Sequence, residues 1–193
     1  MISREQALEF LNKQIENKNI IKHMLATEAI MRTLARKLKI ENGKLKIDED
    51  KWGLVGLLHD GDYIPSVPEN RQGIEVTKML RQEGFEISED VAQAMAAHNH
   101  MTGCNPVTAM DWAIFCGDSL TGLIVAATLV LPSRKLADLT VENVLNRFKE
   151  KSFAKGTRRE NIALCEEKLG IPLVEFMEIC LKAMQNISNE LGL

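Results

Sequence analysis

Apolar residues recur three and four positions apart along nearly the whole chain, and no segment alternates apolar and polar residues as a half-buried strand does. The pattern predicts an all-α fold, with helices at about 3–17, 20–40, 48–59, 70–83, 88–99, 106–130, 140–150, 157–169 and 171–191. Start signals support this. Ser3 with Gln6 fits a capping box, Asp48 and Thr140 each precede an apolar-periodic run, and Ser88 is followed by the acidic pair Glu89 and Asp90. Gly43, Gly84 and Gly170 punctuate helix ends, and Pro65, Pro68, Pro132 and Pro172 mark loops or first turns. Two stretches are irregular: Gly61–Gln72, directly after His59-Asp60, and a basic region comprising Pro132–Asp138 and Lys149–Arg159.

A chain of 193 residues with 45% hydrophobic and 26% charged residues suits one packed domain. A net charge of −3 argues against a whole-protein grip on nucleic acid. Met1–Glu9 carries no apolar signal region, and the apolar stretch Leu120–Leu131 is interrupted and too short to span a bilayer. The expectation is a cytoplasmic protein with no membrane partner. The four cysteines (Cys104, Cys116, Cys165, Cys180) lack metal-site spacing and are expected reduced and buried.

Three of the four histidines lie on mostly apolar helix faces. His23 aligns with Thr27, Ile30 and Leu34, His59 with Trp52, Val55 and Gly56, and His98 with Val91 and Met95. A lone histidine on such a face is ordinarily a satisfied core residue. Three, with Asp60 beside one of them, point to a shared partner, and Asp118 adds a carboxylate on the apolar face of Asp111, Ile114 and Phe115. A cation would resolve their burial. Two imidazoles and two carboxylates without thiolate suit Mn²⁺, Fe²⁺, Co²⁺, Ni²⁺ or Zn²⁺, leaving room for water. His98 is left open among phosphate contact or support of a ligand, ligation of a second metal, and plain core packing. His100 reads as a loop residue. Asp111 lies too far along its helix to share an ion with Asp118 and reads as a helix-pairing or salt-bridge residue. Glu28 and Arg32, one turn apart, read as a surface pair. The stripe Val174, Met177, Leu181, Met184 and Ile187 reads as core or dimer packing, which leaves a homodimer open.

The order of His23 (IKHMLATEAI), His59-Asp60 (GLLHDGDY) and Asp118 (FCGDSL) resembles the HD-domain superfamily of metal-dependent phosphohydrolases. The likeness covers roughly residues 18–130, with 131–193 a helical extension of a single HD-type domain over 1–193. The whole chain is also similar to a bacterial or archaeal branch of predicted HD hydrolases, through its "SFAKG…R" segment and helical tail. The resemblance implies a helical bundle in which His23, His59, Asp60 and Asp118 hold a divalent metal ion. Asp60 would also orient or deprotonate water, and Asp60 and His98 are the candidate catalytic residues. Many members read HDxGK, whereas this chain reads His-Asp-Gly-Asp-Tyr, so a phosphate-binding lysine is missing and Asp62 would repel an anion unless it turns away. Arg134, Lys155 and Arg158 are the candidate substrate-binding replacements, although a solvated basic face is the plainer reading of such a cluster.

The activity implied is cleavage of a phosphate ester or anhydride of a nucleotide or small metabolite by metal-activated water. Two alternatives stand beside it. One is a module that senses a nucleotide without turnover. The other is a di-iron oxygenase, which would need His98 and Asp62 as ligands.

Overall fold

The computed structural model describes residues 2–41 and 47–193, and among these it contains ten α-helices and no strand. The helices are α1 (Arg4–Gln14), α2 (Lys18–Glu41), α3 (Glu49–Leu58), α4 (Glu75–Gln82), α5 (Glu89–Ala97), α6 (Ala109–Leu129), α7 (Val141–Lys149), α8 (Arg159–Leu169), α9 (Leu173–Gln185) and α10 (Ser188–Leu191). The all-α expectation holds. Gly43 lies outside the described residues.

Side-chain caps set several starts. Ser3 and Gln6 exchange reciprocal bonds at α1, and Asp48 accepts the N–H groups of Asp50 and Lys51 at α3. Thr140 and Asn143 form a capping box at α7. At α6, Thr108 and Asp111 form another, in which the buried Asp111 carboxylate accepts Val107 N–H, Thr108 N–H and the Thr108 hydroxyl. Asp111 is therefore a cap and not the salt-bridge residue expected. The Ser88 hydroxyl caps no backbone N–H of α5. The helix expected from residue 70 opens as a 3₁₀ turn, Glu69–Arg71, and α4 waits until Glu75. Between them Gly73 takes φ 87°, where a Cβ would stand 2.4 Å from the Met95 carbonyl oxygen. The segment expected as 171–191 is divided into α9 and α10, and its Val174 is exposed, while Met177, Leu181 and Met184 are buried.

The centre of the bundle is α2, against which α3, α6 and α9 pack. Two glycines on α3 permit the α2–α3 contact. A Cβ at Gly56 would lie 2.7 Å from the Thr27 carbonyl oxygen and 2.8 Å from Glu28 backbone, and one at Gly53 would overlap the Arg32 guanidinium. Here Glu28 is buried and accepts from Arg4 Nε (2.8 Å) and Arg32 Nε (3.0 Å), while Arg32 continues to Asp50 (2.8 Å). The surface pair expected of Glu28 and Arg32 is thus part of a network joining α1, α2 and α3. Such a carboxylate depends on both cations to offset its desolvation.

By length and composition α6 could cross a membrane, which the shorter stretch Leu120–Leu131 did not suggest. Its most apolar window is 56% buried within the bundle, as in the core helix of a folded domain. The four thiols are free. Cys116, Cys165 and Cys180 are buried, and burial pushes all three thiols up, Cys165 to about 11; Cys104 is only half-buried, against expectation.

Gly56→Ala should force α2 and α3 apart. We expect a loss of about 2–3 kcal/mol, or a fall in Tm of roughly 4–12 °C by calorimetry; an unchanged Tm would refute the close-approach argument.

Candidate metal centre

His23 comes from the middle of α2, His59 from the end of α3, Asp60 from the residue after it, and Asp118 from the middle of α6. The close packing of α2 on α3 brings the first two together. Each imidazole is fixed through Nδ1. In His59, Nδ1 donates to the Gly56 carbonyl (2.9 Å), leaving Nε2 to face the centre. The Thr121 hydroxyl donates to the Asp118 carbonyl (2.7 Å) and so accepts from Nδ1–H of His23 (2.9 Å), which leaves His23 Nε2 free as well. Thr121 was not anticipated as a site residue. Its signal was its position, one helical turn after Asp118 on the same helix.

The two Nε2 atoms lie 3.2 Å apart. Asp118 Oδ1 is 2.8 Å from His23 Nε2 and 3.5 Å from that of His59; Asp60 Oδ2 is 3.6 and 3.5 Å from the same two atoms. Two lone pairs at such a separation, with both Nδ1–H groups committed elsewhere, require a proton or a cation between them. Two donors on one ion at about 2.1 Å stand roughly 3.0–3.4 Å apart for bond angles near 90–110°, so the separation fits a shared divalent ion. One atom each from His23, His59 and Asp60 lies within 4.8 Å of the others, and this group could hold a metal.

The electrostatics fit the same use. Burial alone would lower His59, but the Asp60 and Asp118 carboxylates raise it to about 9. Burial works against ionisation of Asp60 as well, and His59, His98 and His23 outweigh it, holding Asp60 at about 2. Asp118 is likewise held well below the usual carboxylate range by His23 and His59 despite its burial.

Residues 20–114 match the family model of the HD domain. This segment is an HD domain, of the HD-domain superfamily. That superfamily is generally one of hydrolases whose members typically bind divalent metals. No curated protein and no solved structure compared with the chain matches it. Asp118 lies just beyond the matched segment, and α6 packing on α2 brings it to the HD dipeptide.

Around this HD dipeptide the remaining candidates separate. His98 ends α5 with Nδ1 donating to the Met95 carbonyl (2.5 Å) and Nε2 3.3 Å from Asp60 Oδ1, the oxygen nearest its ring. Its ring also packs edge-on against His59. His98 therefore supports Asp60 from behind. His100 opens the exposed 3₁₀ turn His100–Thr102. Asp62 does turn away: it is fully buried, with both oxygens accepting Gly73 N–H (2.9 Å) and one also accepting Val76 N–H (2.8 Å). It pins the loop after the HD dipeptide onto α4, which removes the ligand a di-iron centre would need from it.

Lys155 and Arg158 line a cavity of about 430 Å³ together with His23 and Asp118. Arg134 does not join them. It is exposed on the turn beyond α6, whose last eleven residues after Asp118 carry the chain about 16 Å away. Arg159, counted with the basic cluster, instead donates to the carbonyls of Phe148 (2.7 Å), Glu150 (2.9 Å) and Phe153 (2.6 Å). It ties down the loop that presents Lys155, in which Ala154 takes the left-handed φ of 44°. No local motif announced that clamp.

Metal uptake should release the His59 proton, because ligation needs its Nε2 lone pair and the metal-free ring keeps that proton up to about pH 9. Apparent affinity for Mn²⁺ or Zn²⁺ should thus rise about tenfold per pH unit between pH 6 and 8 and level off above 9; titration calorimetry showing a pH-independent affinity would contradict this. Asp62→Ala should lower stability by about 2–4 kcal/mol in denaturant melts while metal content stays at the parent level.

Proposed function

We propose that this HD protein is a metal-dependent phosphohydrolase that cleaves a phosphate ester or anhydride of a nucleotide or small metabolite. One observation carries the reading: His23 of the metal-binding group and Asp118, 2.8 Å from it, share a cavity with the cations Lys155 and Arg158. A site for a divalent ion thus borders a site for an anion, on separate walls of one space. A bound divalent ion supplies the Lewis acid, which acidifies water and offsets charge on phosphoryl oxygens.

The protein's own residues divide the rest. Arg158 offers a planar fork for two phosphate oxygens, and Lys155 a point charge for a third. Together they take the place of the lysine missing after His59-Asp60. Asp60, beside the ion, orients the attacking water, while His98 steadies its carboxylate through Oδ1. Thr121 keeps the His23 ring in the tautomer that leaves Nε2 open. The partner in this reading is a small phosphorylated molecule, with no part for a membrane or nucleic acid.

The full chain loaded with Mn²⁺, Co²⁺ or Ni²⁺ should release phosphate from members of a phosphoester panel, lose that activity to a chelator, and regain it with metal. Asp118→Ala should lose both metal and turnover. Lys155→Ala and Arg158→Ala should keep metal and raise KM about tenfold or more each, as loss of a charged hydrogen bond of about 1.5–3 kcal/mol requires. Metal and phosphate binding without turnover would instead identify a sensing module.

A further inference from the structure

A second cavity, of about 440 Å³, adjoins the first, and His23, Thr121 and Gly122 border both. It runs between α2 and α6 toward the C-terminal turn, with walls of Ala26, Val125, Ala126, Leu129 and Leu191. Its size falls within the roughly 300–1,000 Å³ of small-molecule sites. Polar side chains are few. Thr121 has both hydroxyl functions taken by Asp118 and His23, and Asn19 and Lys22 remain from the first turns of α2. A heterocyclic base buried there would leave most of its edge groups without partners, at a cost of about 1–3 kcal/mol each. A hydrocarbon against Ala26, Val125, Ala126 and Leu129 brings no polar groups of its own to bury.

Gly122 marks the junction. Glycine inside a helix is about 1 kcal/mol less favourable than alanine, so it calls for a reason. Elsewhere the reason is packing: a Cβ at Gly53, Gly56 or Gly117 would meet a neighbour within 3.0 Å. At Gly122 a Cβ would meet nothing within 4 Å, and the residue is exposed in the middle of α6. No protein atom requires a glycine here. A bulky side chain here would close the way from one cavity to the other.

We propose that the α2–α6 groove holds the apolar organic group of a phosphate monoester whose phosphate lies by Lys155 and Arg158, with Gly122 as the passage between them. This rests on the phosphohydrolase reading and narrows it, favouring an aliphatic or phenyl ester over a nucleotide. The reaction is hydrolysis. The water oxygen bonds to phosphorus, the phosphorus–oxygen ester bond breaks, and the departing oxygen takes a proton from that water, giving an apolar alcohol and inorganic phosphate.

Two measurements on the metal-loaded full chain test the groove and the chemistry separately. Binding of hexylphosphonate, which cannot be hydrolysed, should be at least tenfold tighter than that of methylphosphonate by calorimetry. Gly122→Phe and Val125→Lys should each remove most of that preference at unchanged metal content, whereas Gly122→Ala should keep it and melt higher than the parent. In turnover, kcat/KM for hexyl phosphate should exceed that for adenosine monophosphate at least tenfold, and Gly122→Phe should lower the ratio chiefly through KM. Equal binding of the two phosphonates, or loss of both to the same degree in Gly122→Phe, would overturn the groove assignment whether or not turnover occurs. The hexyl preference in binding with no phosphate release from any ester would retain the groove and overturn the hydrolase reading instead.

Discussion

Everything at this site depends on two imidazole nitrogens brought to 3.2 Å of one another between two carboxylates. Such a contact is unfavourable for the bare rings, since each Nδ1–H is already bound and the facing atoms are both lone-pair donors. The backbone imposes it. The glycines of α3 let that helix close on α2, the Gly56 carbonyl aims one ring, and Thr121 of α6 aims the other. The bundle thus maintains a local arrangement that becomes favourable only with positive charge at its centre, whether from protons or from a metal ion.

Around this point the fold uses acidic residues in three different ways. Asp60 and Asp118 face the imidazoles. Asp62 and Asp111 are fully buried but turned onto backbone N–H groups, where they start helices and anchor a loop. Glu28 sits between two guanidinium groups and joins three helices. All five are acids on or beside apolar stretches, so the sequence marks them alike while their chemistry differs.

That distinction explains what the sequence could and could not convey. Helical spacing revealed the all-α class and turned His23, His59, His98 and Asp118 inward, because period and apolar neighbours are local properties. The Thr108–Asp111 box was also readable, as a threonine with an acid three residues on. Its acid also lies seven residues before Asp118 on the same helix face, and that alignment masks the cap. Glu28 and Arg32 have the spacing of any exposed pair, and only Arg4 and Asp50, distant in the chain, give them another role. Among the basic residues, composition could not tell Arg134 from Lys155 or Arg158, since the path of the chain after α6 decides which reach the cluster. Arg159 carried the least signal of all, because its partners are carbonyl oxygens, which every residue has.

The Arg159 clamp has a kinetic consequence. A guanidinium bonded to the carbonyls of Phe148, Glu150 and Phe153 ties the end of α7 to the start of α8, so the cations that follow Ala154 need not search for their position when an anion arrives. Recognition at that wall should resemble a key entering a finished lock, with association set by diffusion and charge and no slow ordering phase.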